Sequence, residues 1–104
     1  MALGNYWLMR LRLMFSNKKF DSNVWKNFVD LRKYYVRDVL ASFKFLGMTK
    51  IEIEKYFGHC ESCNDVFTGC FSYFITVKDN KKYYLVFYFT DGHVKRINYE
   101  YEIF

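Results

Sequence analysis

Residues 70–103 read CFSYFITVKDNKKYYLVFYFTDGHVKRINYEYEI, and the spacing of apolar side chains in this stretch decides the fold. CFSYFITV (70–77), YYLVFYFT (83–90) and HVKRINYEYEI (93–103) carry apolar residues at a period of two, the pattern of strands. KDNKK (78–82) and Asp91-Gly92 separate them. Asp-Gly between alternating apolar runs is among the strongest short-range hairpin signals, because both turn residues accept positive φ. The expectation is a three-stranded antiparallel meander. Alternation then sends Phe71, Tyr73, Ile75, Leu85, Phe87, Phe89, Ile97 and Tyr99 to one face, and Ser72, Phe74, Thr76, Tyr84, Val86, Tyr88, Arg96, Asn98 and Glu100 to the other.

Upstream the period becomes helical. In GMTKIEIEKYFG (47–58), Thr49 and Glu52 have the spacing of a capping box, Gly58 falls where a left-handed C-cap belongs, and Ile53, Tyr56 and Phe57 form the buried stripe. In DSNVWKNFVDLRKYYVRDVLASF (21–43), Asp21 or Ser22 can serve as N-cap, and Trp25, Phe28, Tyr35, Val36, Val39, Leu40 and Phe43 recur at helical spacing. This predicts one helix of about five to six turns, with Lys26, Asp30, Lys33 and Arg37 on its solvated side. In LMRLRLM (8–14), Met9, Leu11 and Leu13 alternate with Arg10 and Arg12, which suggests a short N-terminal strand extending the sheet. The chain thus reads as one domain, 1–104: an N-terminal strand or arm (1–20), a helical hairpin (21–58), a loop (59–69) and a β-meander (70–104). The class is α+β, with the hairpin packed on one face of an antiparallel meander of three or four strands.

Composition agrees with a small packed domain. Of 104 residues, 12 are Phe and 10 are Tyr, so the core must be largely aromatic. The net charge is +5, from 16 Lys plus Arg against 11 Asp plus Glu, and it favours acidic partners in encounter. The basic residues are dispersed. The densest stretches, NKK (17–19), DNKK (79–82) and HVKR (93–96), do not assemble the roughly six to ten phosphate contacts of a nucleic-acid footprint. Arginines interrupt the N-terminal apolar run, no cleavage site or lipid-acceptor cysteine follows it, and no stretch approaches the ~18–20 apolar residues that span a bilayer. A cytoplasmic protein without a membrane partner is expected, with its three cysteines as reduced thiols.

The loop GHCESCNDVFTGC (58–70) holds the candidate chemistry. Cys60, Cys63 and Cys70, with His59 or His93 as a fourth ligand, could be arranged around zinc, but a structural site normally shows a second paired half, which this chain lacks. Cys60-x-x-Cys63 follows a helix C-terminus, where the dipole disfavours the thiolate that redox work needs. Nucleophilic catalysis lacks a third, orienting group. Glu52 and Glu54 point to different sides of a helix, Glu100 and Glu102 sit near the chain's end as solvated groups, and no glycine-rich phosphate loop exists. Neither an enzyme nor a cofactor is indicated, and no metal ligands are assigned.

DLRKYYVRDVL (30–40), GMTKIEIEKYFG (47–58) and YYLVFYFTDGHVKRI (83–97) together resemble the BamE/SmpA outer-membrane lipoprotein group. There, an arginine-bearing first helix is followed by G-x-T-x-x-E-[hydrophobic]-x-x-x-[hydrophobic]-G and a hairpin ending in F-x-D/N-G-x-V. The resemblance covers about residues 25–97 and implies the helix-helix-sheet architecture shared with the β-lactamase inhibitor protein, and a role in binding proteins. This chain departs from the group in lacking the lipoprotein signal and the proline that commonly follows the helix-ending glycine.

The second sheet face is the candidate site. Phe74, Tyr84, Val86 and Tyr88 beside Arg96 and Asn98 have the composition of a protein-binding hot spot. The expected function is a cytosolic inhibitor or immunity protein that neutralises a toxin with an acidic surface. An envelope-associated structural protein of the BamE/SmpA-like group, and a small zinc or nucleic-acid module, are the alternatives. Self-association through the open sheet face is a further reading of the same patch.

Overall fold

The structure is a computed structural model of the chain and describes residues 19–64 and 69–104. The expected N-terminal strand falls in residues 1–18, outside the described residues. Helix α1 (Ser22–Asn27), a 3-10 helix (Val29–Tyr34), α2 (Val36–Ala41) and α3 (Lys50–Phe57) precede strands β1 (Ser62–Asn64), β2 (Cys70–Lys78), β3 (Lys81–Thr90) and β4 (His93–Ile103). The strands form one antiparallel sheet in the order β1-β2-β3-β4. With the helices on one face, the molecule is a two-layer α+β domain.

The meander follows from its turns. Asp79 and Asn80 have φ of 53° and 62°, and Asp91 and Gly92 have 53° and 78°. Two successive positive-φ residues make the tight turn whose twist matches the flanking strands. The turns set the register, with Lys78 opposite Lys81 and Thr90 opposite His93. Irregularities between Phe74 and Thr76 and between Tyr88 and Phe89 adjust it. The expected inner face is the observed one: Phe71, Tyr73, Ile75, Leu85, Phe87 and Phe89 are buried, while Ile97 is half-buried and Tyr99 is 42% exposed.

The fourth strand is β1, within the stretch 59–69 that the sequence suggested as a loop. It runs antiparallel to the start of β2, Ser62 opposite Ser72 and Asn64 opposite Cys70. Just before it, Cys60 is buried and disulfide-bonded, where composition suggested a reduced thiol. That expectation rested on compartment alone.

The long first helix is broken into three. Phe28 leaves helical geometry at φ −131°, ψ 83°, and Ser42, at φ −88° and ψ 135°, ends α2. Arg32 explains the first break. It is only 5% exposed, and its Nε donates to the Trp25 carbonyl at 2.9 Å, the acceptor that the Val29 N–H would take in a continuous helix. The break rotates the apolar stripe. Leu31 joins Trp25, Tyr35, Val36 and Val39 inside, while Phe28, Leu40 and Phe43 are exposed. Helix α3 forms as expected, with the Thr49–Glu52 capping box and Gly58 at φ 82° as its C-cap.

The two layers meet through aromatic rings. Phe57 lies 4.5 Å from Phe20, 5.2 Å from Trp25, 5.0 Å from Phe45 and 4.7 Å from Phe87, between ring centroids. Tyr73 reaches across to donate to the Gly58 carbonyl at 2.8 Å, which ties the central strand to the end of α3 and satisfies a buried hydroxyl. Burial, and secondarily the charges of Glu54 and Glu61, raise its pKa well above that of an ordinary phenol.

Candidate functional site

The outer face of β2, β3 and β4 is built from three cross-strand rows. Cys70, Tyr88 and Arg96 make the first, Ser72, Val86 and Asn98 the second, and Phe74, Tyr84 and Glu100 the third. All six residues singled out from the sequence therefore lie on one surface. Their exposure differs from expectation at one position: Val86 is buried at 4% exposure, while Phe74, Tyr84, Tyr88 and Asn98 are half-buried and Arg96 is exposed.

Tyr88 accounts for the difference. Its hydroxyl donates to Glu100 Oε2, although Glu100 sits two rows away, opposite Tyr84. To span that distance the ring must lie across the row of Val86 and Asn98. The Arg96 guanidinium stands 4.3 Å from the centroid of the same ring, and Asn98 Nδ2 donates to Glu100 Oε2 at 3.2 Å. Glu100 is thus the hub of a polar network around an aromatic ring. A second pair lies beside it, with Tyr84 donating to Glu102 Oε1 at 3.0 Å and Phe74 edge-on to Tyr84 at 6.1 Å. Between the pairs is a shallow cavity of ≈ 260 Å³ lined by Ser72, Tyr84, Val86, Glu100, Tyr101 and Glu102.

Both phenols are held in the neutral form. The hydrogen bond to Glu100, then burial, then the carboxylate charge push Tyr88 up to about 12, against a small opposing effect of Arg96. Burial, then the bond to Glu102, raise Tyr84. At neutral pH these groups donate hydrogen bonds and are not poised to move protons.

Glu100 and Glu102 were expected to be solvated, and Glu102 is exposed while Glu100 is half-buried. Both also accept hydrogen bonds from tyrosines. The Asp91-Gly92 turn by itself would set Tyr99 opposite Tyr84, and the irregularity between Tyr88 and Phe89 brings Glu100 there instead, so no local signal in the sequence carried this pairing. The cysteine candidates fare differently. Cys60 is disulfide-bonded and offers no thiolate, so the set Cys60, Cys63 and Cys70 does not present three metal-binding thiolates. Cys63 lies opposite Phe71 in the register, and Cys70 lies one position away on β2. His59 is exposed, 3.8 Å from a Glu54 carboxylate oxygen, while His93 sits at the far hairpin with Nδ1 2.9 Å from the Asp91 carbonyl. Among the described residues no group of three His, Cys, Asp or Glu side chains is placed to hold a metal ion.

Comparison with known proteins finds no matching family model, no matching curated protein and no matching solved structure. The resemblance to the BamE/SmpA group is carried by the quoted motifs alone. No helix among the described residues is long and apolar enough to cross a membrane.

Proposed function

We propose that this chain is a non-enzymatic protein-binding module whose recognition surface is the outer sheet face, and that it serves as a cytosolic inhibitor or immunity protein for a toxin. The observation that carries the binding reading is the Tyr88–Glu100–Asn98–Arg96 network. Tyr and Arg are the residue types that dominate binding energy in interfaces. Here they are held in place before any partner arrives, which reduces the ordering cost of association. The toxin-inhibitor role rests on the motif resemblance and on the inhibitor-like architecture that the resemblance implies. The net charge of +5 favours a partner with an acidic surface.

The test is co-expression of the full chain with the product of the gene next to its own, followed by calorimetric titration of the purified pair. A complex at micromolar concentration is expected, weakened about thirtyfold by Tyr88→Ala or Arg96→Ala if each contributes as a hot spot. No complex, or one indifferent to substitutions at Tyr84, Tyr88 and Arg96, overturns the reading.

A further inference from the structure

The two edges of the sheet are finished differently. On the β2 side, β1 pairs as far as Ser72, the Glu61 N–H donates to the Ser72 carbonyl at 3.0 Å, and Arg32 Nη1 donates to the Phe74 carbonyl at 3.0 Å. On the β4 side, among the described residues, the covering contacts lie at its beginning. Gly47 N donates to the Val94 carbonyl and Val94 N to the Met48 carbonyl, each at 2.8 Å, and Thr49 bridges His93. From Lys95 to Ile103, the outer edge of β4 pairs with no other strand among the described residues. Tyr99, Tyr101 and Ile103 along it are 42%, 54% and 74% exposed. A long uncovered edge is a template for another strand.

The side chains of this stretch say which strand fits. We infer that β4 pairs antiparallel with β4 of a second copy of this chain, about a two-fold axis passing through Tyr99, the midpoint of Lys95–Ile103. That register sets Arg96 opposite Glu102 of the second copy and Asn98 opposite its Glu100, both on the outer face, and each pair occurs twice by symmetry. On the inner face Ile97 meets Tyr101 of the second copy, and the two Tyr99 rings meet at the axis, continuing the stack in which Tyr83 lies 5.3 Å from Tyr99. Opposite charges and paired apolar residues directly across strands are stabilising, and like charges there are destabilising. Centring the axis on Glu100 sets the two Glu100 carboxylates against each other. Centring it on Asn98 extends the ladder toward Val94, whose backbone groups are already bonded to Gly47 and Met48. The product is one continuous sheet of eight strands, four from each copy, with the two outer faces side by side. The pairing engages Arg96, Asn98 and Glu100 of the outer face, and it is read from the oligomeric state of the chain alone, with no partner present.

Sedimentation velocity on the full chain over a range of concentrations tests this. Dimerisation is expected, weakened about tenfold or more by Arg96→Glu or Glu102→Arg alone, since each sets like charges opposite twice over. The double substitution, Arg96→Glu with Glu102→Arg, should restore it to within a few-fold. Hydrogen exchange distinguishes edge pairing from contact through the outer face: amides of 95–103 should gain protection as concentration rises through the dimer range. A monomer at every concentration overturns the inference. A dimer insensitive to both single swaps, a double variant that fails to recover, or unchanged β4 protection does so as well.

Discussion

Arg32 shows how one side chain can override a local pattern. Helical spacing runs unbroken through residues 25–43, yet the guanidinium is buried and binds the Trp25 carbonyl, the Phe74 carbonyl and Glu61, the last at 2.6 Å, while lying 5.1 Å from the Trp25 ring centroid. Arg32→Ala should cost on the order of 1–3 kcal/mol for each buried carbonyl left unpaired. Arg32→Lys should not recover it, because an ammonium lacks the planar fork that serves several acceptors at once; urea unfolding of both variants measures this. Tyr88 carries a pH prediction. The folded chain keeps its proton up to about 12, against an ordinary phenol value of 10.0. Its contribution to stability is therefore fully present below pH 10 and is lost as pH rises from there toward 12. Tyr88→Phe should flatten that part of the stability profile, and the difference in tyrosinate absorbance between the two proteins locates the titration. If the two profiles fall in parallel, the Tyr88–Glu100 bond is not what holds the proton.

At the scale of elements, the sheet and α3 were legible because their signals are local. A turn needing positive φ and a capping box are each encoded within about four residues. Gly92 sits at φ 78° with no atom within 4 Å of where a Cβ would be, so Gly92→Ala should cost about 1–2 kcal/mol from backbone strain alone. Gly92→Asn should cost less. Thermal melts of the two variants check the order. Thr49→Ala removes the side-chain acceptor of the Glu52 N–H and should cost about 1 kcal/mol; a smaller effect in Thr49→Ser would identify the hydroxyl as the relevant group. The first helix was misread for the opposite reason. Its break is made by Arg32 taking the Trp25 carbonyl, and the guanidinium is held there by Phe74 and Glu61, which are 42 and 29 residues away from it and lie in no window along the chain with it. The exposure of Phe28, Leu40 and Phe43 follows from that break.

At the scale of the molecule, the aromatic core joins the layers through Phe57, which faces Phe20, Trp25 and Phe45 on one side and Tyr73 and Phe87 on the other. Phe57→Ala should cost about 3–5 kcal/mol, enough to unfold a domain of marginal stability; loss of near-ultraviolet circular dichroism at ambient temperature is the expected result. Tyr73→Phe, which keeps the ring and drops the bond to Gly58, should be much milder. The candidate site was half legible. Alternation alone assigned Phe74, Tyr84, Val86, Tyr88, Arg96 and Asn98 to one face, since side-chain direction in a strand depends only on position. The sequence by itself determined the meander, its turns, the shared face of the six candidate residues and the capped second helix, because each is settled by neighbours along the chain; Thr76 departs from strict alternation, since the irregularity after Phe74 sets it opposite the inward Tyr83. Only the tertiary structure decided where the first helix breaks, that Val86 is buried, that Glu100 and Glu102 hold the tyrosines, and that, among the described residues, the start of β2 is covered by β1 and Arg32 while β4 beyond Val94 pairs only with β3. Those outcomes depend on hydrogen bonds and packing between residues far apart in the chain, and their partners are chosen only when the layers meet.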